Sequence, residues 1–267
     1  MKSFGIDIGS HSIKIAEIES SSSGANLLNY IELPIPMQPN TDVNLAIIDS
    51  LRSHFEKVDT TNLQIAVAIN QNFVTHRRTF FPFKVRHSIQ RALPLEIEDE
   101  VPFSPDNAIF DAKILSYQSG GGANVLASIS PKDRIAECLQ TCKDSGLEPS
   151  IVSCETLSYS NLFENWKELP PERTDLLETA FEEEPSDENE NSPKQTVPQD
   201  ASALIHIGHS KTLLMVYQNK ELLTCRTISW GGKLLAEEVH KKYQLPLSES
   251  IKELESKGFI LLSNENH

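Results

Sequence analysis

Two stretches of this chain share one grammar, and together they constrain the fold more than any other feature. In Phe4-Gly5-Ile6-Asp7-Ile8-Gly9-Ser10-His11-Ser12-Ile13-Lys14-Ile15, alternating apolar residues run into a glycine, cross a small polar turn and alternate out again. That pattern predicts a β-hairpin rather than a strand opening a helix. Two-thirds along, Leu204-Ile205-His206-Ile207-Gly208-His209-Ser210-Lys211-Thr212-Leu213-Leu214 repeats it, with Ile6-Asp7-Ile8-Gly9 answered by Ile205-His206-Ile207-Gly208. An internal repeat of this kind predicts two related lobes facing a shared cleft.

The turn chemistry suggests what the cleft holds. Gly9 permits positive φ and close backbone approach, leaving the amides of Ser10, His11 and Ser12 to face an anion. Asp7 stands where a carboxylate holds a hydrated metal, and Lys14 is a phosphate partner. On the second hairpin the corresponding set is Gly208, His209, Ser210 and Thr212. Beside it, Gly231-Gly232 opens a predicted helix whose free amides and dipole make a second anion site. A plain pair of turns is the alternative reading of these short motifs.

With these residues in view, the chain resembles the actin-like ATPase superfamily, in which two such hairpins cradle nucleotide phosphates. Within it the sequence is most similar to the PilM-like proteins of type IV pilus machines, with the GspL proteins of type II secretion close behind. The resemblance implies an α/β fold of mixed sheets with helices, actin-like (ribonuclease H-like), carrying a small inserted α+β subdomain and an incomplete second lobe. It implies ATP and Mg²⁺ as cofactors, with Asp7 near the metal. It also implies a scaffold bound to the cytoplasmic tail of an inner-membrane protein, PilN-like or GspM-like, with the motor ATPase and a homodimer as further partners. An active ATPase and an FtsA-like filament former are the alternatives. Two departures weigh against hydrolysis: His206 stands where the second hairpin normally carries aspartate, and the chain reaches His267 without a glycine-rich adenosine loop.

The resemblance, laid over the pattern of elements, also implies the domain boundaries. Residues 1–75 read as the first part of lobe 1, 76–155 as the inserted subdomain, 156–171 as a connecting helix and 201–267 as the start of lobe 2. Residues 172–200, with ten acidic residues against two basic, read as a disordered acidic loop. That segment carries much of the net charge of −14, which argues against nucleic acid as a partner despite the basic-aromatic run Arg77, Arg78, Phe80, Phe81, Phe83. Glu96, Glu98, Asp99 and Glu100 read as a solvated docking face. Within 1–267 no apolar run is long enough to cross a bilayer, no signal peptide opens the chain, and Cys138, Cys142, Cys154 and Cys225 lack metal-ligand spacing. These point to a reduced, cytoplasmic protein, which the resemblance places at the periphery of the inner membrane.

Local signals complete the expectation. Asp42 caps a helix to Phe55 with Leu45, Ile48, Leu51 and Phe55 inward. Leu63–Ile69 is a core strand. Pro94 stops or kinks the helix that begins at Lys84. The helix over Pro131–Ser145 closes on Gly146, Glu155 starts a helix to about Trp166, and Ser248 caps a last helix.

Overall fold

A computed structural model describes the chain apart from Ser23, Met37, Pro39, Thr61, Asn62, Pro102, Phe103, residues 166–200, Asn219 and residues 259–267. The expected acidic loop over 172–200 and the Trp166 helix end therefore lie outside the described residues. The first hairpin forms as read: β1 (Lys2–Ile8) pairs antiparallel with β2 (Ser12–Ser21), and β2 with β3 (Gly24–Pro34). Helix α1 (Val43–Phe55) then crosses to β4 (Gln64–Ile69), which lies parallel to β1 on its other side. Strand β8 (Ile151–Cys154) adds parallel to β4, giving a five-stranded sheet in the order β3-β2-β1-β4-β8.

One face of this sheet is the core. Phe4, Ile6, Ile13, Ile15, Ile65 and Val67 pack against Ile47, Leu51 and Phe55 of α1 and Cys142 of α3 (Lys132–Asp144). Leu51 is fully buried, so its truncation to alanine costs about 2–5 kcal/mol. The inward stripe of α1 is Ile47-Leu51-Phe55 rather than one starting at Leu45, which is 54% exposed. The expected cap holds, with Asp42 Oδ1 accepting from the Leu45 amide at 3.1 Å.

Between β4 and β8 the chain makes a second, three-stranded sheet in the order β5-β7-β6: β5 (Thr75–Phe81), β6 (Ala108–Tyr117) and β7 (Ala123–Pro131). Helix α2 (Arg86–Glu96) lies on it through Ile89 and Leu93, and Asp111 of β6 accepts from Gln90 at 3.3 Å. The helix runs through Pro94 rather than stopping there. Burial of Leu93 and Ile97 holds the last turn in place, and the Ile97 amide still reaches the Leu93 carbonyl at 3.3 Å. Phe81 is buried beneath this helix, and Arg78 donates to the Leu222 carbonyl, so part of the basic-aromatic run is spent inside the molecule.

The expected grouping of 132–155 with the inserted segment is corrected by the pairing. Helix α3 and β8 belong to the first sheet and its core. At the end of α3 the amides of Gly146 and Leu147 bond to the carbonyls of Lys143 and Cys142, with Gly146 at φ +80°. This cap drops Leu147 into the core beside Cys142.

Helix α4 (Glu155–Asn165) follows β8 directly, and from residue 201 a third sheet is ordered β11-β10-β9: β9 (Ala201–Ile207), β10 (Thr212–Gln218) and β11 (Glu221–Ile228). Phe163 of α4 stacks on Tyr217 at 4.3 Å, and Leu213, Met215 and Leu222 complete that core. Two helices follow, α5 (Gly232–Tyr243) and α6 (Leu247–Lys257). Helix α6 starts on Pro246, so Ser248 lies inside it rather than capping it. Among the described residues no helix is long and apolar enough to cross a membrane, and all four cysteines are free thiols.

Candidate functional site

Both glycine corners close in the same way. The Gly9 amide donates to the Ser12 carbonyl at 3.0 Å and the Gly208 amide to the Lys211 carbonyl at 2.9 Å. A Cβ would come within 2.8 Å of Ser12 O at Gly9 and 3.0 Å of Lys211 O at Gly208. The glycines therefore serve close approach, and Gly9 does not adopt the positive φ expected from the sequence.

The two turns meet tip to tip. Ser10 Oγ donates to Ser210 Oγ at 2.9 Å, and the rings of His11 and His209 stack with centroids 4.6 Å apart. The residue after one glycine thus touches the second residue after the other, as a pseudo-two-fold relation between the hairpins requires. Behind the tips lies a cavity of about 50 Å³ lined by Asp7, Lys14, Asn70, Glu155, His206 and Lys211 together with the turn residues. By the same measure one water needs roughly 10–15 Å³, so this space suits a few waters, and a triphosphate enters only if the tips part.

Most expected site residues do converge here: Asp7, Gly9, Ser10, His11, Ser12, Lys14, Gly208, His209 and Ser210 all line the cleft. Three do not. Thr212 Oγ1 donates to the Trp230 carbonyl at 2.8 Å, which turns its hydroxyl to the protein. At Gly231-Gly232 the anticipated anion site is already occupied by the protein's own carbonyls. The Gly232 amide donates to Gly208 O at 3.0 Å and the Lys233 amide to His209 O at 2.8 Å. The start of α5 therefore braces the second hairpin.

Sequence reasoning missed the cleft's charged floor. Lys211 is 7% exposed, donates to Asn70 Oδ1 at 2.5 Å and pairs with the Glu155 carboxylate. Glu155 is held in turn by the Gln71 amide at 2.8 Å. Burial, then the negative charge of Glu155, raises the Asp7 carboxyl above its usual range, while Lys14, His206 and Lys211 pull it back. Burial lowers His206, against the opposing pull of Glu155 and Asp7. Its Nδ1 lies 2.9 Å from the Tyr159 hydroxyl, whose own pKa is pushed up to about 12 by burial and by Asp7. The phenol and the imidazole thus share one hydrogen bond at Nδ1.

This donor set fits a phosphoryl group: the Ser10 and Ser210 hydroxyls, the Lys14 ammonium, and buried ring nitrogens of His11 and His209 that have no partner, while the Ser12 hydroxyl is spent on Glu32 and Lys211 on Glu155. It fits a metal less well. Asp7 and Glu155 supply hard oxygens, but Lys211 already neutralises Glu155, and among the described residues no three metal-ligating side chains converge. If Mg²⁺ is bound, Asp7 holds it, and the ion supplies charge neutralisation for phosphate oxygens.

Comparison with known proteins is decisive at the family level. A family model described as type IV pilus assembly protein PilM matches residues 5–259. This chain belongs to the PilM family. The solved PilM–PilN type IV pilus biogenesis complex aligns over 96% of this chain and 70% of that chain, with 17% identity and a TM-score of 0.70. The cytoplasmic domain of EpsL, an inner membrane component of the type II secretion system of Vibrio cholerae, aligns over 92% of this chain and 78% of that one (12% identity, TM-score 0.47). The ethanolamine utilization protein EutJ from Carboxydothermus hydrogenoformans aligns over 96% and 62% (12% identity, TM-score 0.47). The fold is thus that of the PilM family, an α/β fold of mixed sheets with helices, as the resemblance led one to expect.

Proposed function

We propose that this member of the PilM family is a cytoplasmic scaffold of the type IV pilus assembly platform, peripheral to the inner membrane. It binds the cytoplasmic tail of a PilN-like membrane protein and uses its phosphate cleft to hold its two lobes in register. The family match over residues 5–259 carries this reading and favours a PilN-like over a GspM-like partner. The lobes run 1–75 with 132–155, and from 201 onward, joined by α4 and separated by the inserted β5–β7 unit. The motor ATPase and a second copy of the chain are further partners in this scheme. ATP is a structural ligand here, because His206 and the Lys211–Glu155 pair stand where metal-assisted hydrolysis wants free carboxylates.

For the tail we propose the groove of about 620 Å³ between α1 and α3, whose lining includes Ile8, Ile47, Ile48 and Phe73, with Arg134 and Asp144 at its rim. A lining that mixes these apolar side chains with Asn44, Arg134, Glu137 and Gln140 suits a short amphipathic peptide. Isothermal titration with a synthetic PilN-like cytoplasmic tail is expected to give saturable binding that Phe73→Ala weakens at least tenfold, with unchanged urea stability. Absence of binding to the folded chain would count against the scaffold role; binding indifferent to Phe73→Ala would move the tail elsewhere.

A further inference from the structure

A cleft that merely cradles phosphate does not need its two tips to touch, yet here they do, and a histidine pair makes much of the contact. His11 and His209 stack with an interplanar angle of 27°, beside the Ser10–Ser210 hydrogen bond. His11 Nδ1 and His209 Nε2 are buried without partners, an arrangement that costs free energy and leaves two polar atoms unused. The charged groups around the pair come from every neighbouring element. Asp7 and Lys14 lie on the first hairpin, His206 and Lys211 on the second, Glu155 on α4, Lys233 on α5 and Glu255 on α6.

We propose that the stacked His11–His209 contact forms a proton-sensitive latch, closed while the His209 ring is neutral and parted by a phosphoryl anion that takes up ring N–H groups. The proposal rests on reading the cleft as a phosphate site. Two stacked imidazolium rings repel, and each offers two donors to an entering anion. The sign of the pH effect follows from the packing. In the closed contact burial, His11 and Lys233 lower the proton affinity of His209, with Glu255 opposing. Parting the tips relieves that burden, and an anion between the rings raises proton affinity further. Acid therefore favours the open, anion-bound cleft.

The test is isothermal titration of the full chain with inorganic pyrophosphate and with ATP at about pH 8 and pH 6, in wild type, His11→Asn and His209→Asn. One proton fully taken up per anion tightens binding about tenfold per pH unit, so wild type should bind at least about tenfold more tightly at the lower pH. Each variant is expected to flatten that dependence. Pyrophosphate itself loses charge on acidification, so without the histidines the trend runs the other way. Equal affinity at both pH values, or the same dependence in both variants, overturns the latch while leaving the phosphate site intact. No binding of either probe overturns the phosphate reading and the latch with it. A ligand-free NMR titration tests the latch independently: the Ser10 and Ser210 amide signals should move with the same midpoint as the two rings. Amides that stay fixed while the rings titrate refute the latch.

Discussion

Gly231→Ala should destabilise the fold where the neighbouring Gly232→Ala does not. A Cβ on Gly231 would sit 2.5 Å from Gly208 O and 2.7 Å from His209 O, both backbone atoms that cannot swing aside. Relief requires α5 to withdraw from the second hairpin, which stretches the Gly232–Gly208 and Lys233–His209 hydrogen bonds. Two such bonds are worth about 2 kcal/mol net and the steric misfit about 1–3 kcal/mol more, so the loss should be about 3–5 kcal/mol. A Cβ on Gly232 meets nothing nearer than 3.9 Å, and alanine is the better residue inside a helix, so that variant should be neutral or slightly stabilised. Urea unfolding followed by circular dichroism reads both. With a slope of about 2–3 kcal/mol per molar for a domain of this size, Gly231→Ala should lower the midpoint by about 1–2 M. A Gly231→Ala midpoint within error of wild type, or equal losses for the two variants, would refute this account of how α5 braces the hairpin.

The buried Lys211–Glu155 pair predicts non-additive losses. Lys211→Met or Glu155→Gln alone should cost about 3–5 kcal/mol by stranding a charge, and the double variant clearly less than their sum; additive losses in denaturant melts would contradict the pairing. Burial lowers the His76 imidazole to about 4, so the unfolded chain takes up a proton below its ordinary 6.5 before the folded one does. Stability should therefore fall by about 2 kcal/mol as pH drops from 6.5 to 4, and His76→Gln should flatten that limb of a pH–stability curve; an unchanged limb assigns it to other groups. Mg²⁺-dependent ATP turnover should stay near the no-enzyme background with and without Asp7→Ala in a phosphate-release assay. Brisk hydrolysis abolished by that substitution would make the protein an enzyme.

Features carried by local chemistry were legible in the sequence. The repeat of Ile-x-Ile-Gly announced both hairpins, Asp42 announced the start of α1, and Gly146 announced the end of α3, because each acts through neighbours within a few residues. The charged floor of the cleft was not legible. Lys211 meets Asn70 and Glu155 across 141 and 56 residues, and nothing beside any of them signals that meeting. The repeat itself held one missed clue, since Lys211 occupies the place of Ser12 at the corresponding corner. Gly231-Gly232 misled for a related reason. A glycine pair at a helix start looks alike whether its amides await an anion or already bond to a neighbouring carbonyl, and the partner, Gly208, lies over twenty residues away. The path of α2 through Pro94 shows burial overriding a local breaker, because Leu93 and Ile97 gain more from the core than one lost backbone bond removes.

Strand β8 carries a consequence for the way the chain comes off the ribosome. Its parallel partner β4 emerges about eighty residues earlier, and the whole β5–β7 sheet is made in between. Until β8 arrives, β4 presents a bare hydrogen-bonding edge, a surface prone to pair with the wrong chain. The intervening sheet, closed by neighbouring strands, can mature first and shorten the effective tether that brings β8 home. Slowing translation anywhere between Ile69 and Ile151 should therefore prolong the exposure of that edge and favour aggregation.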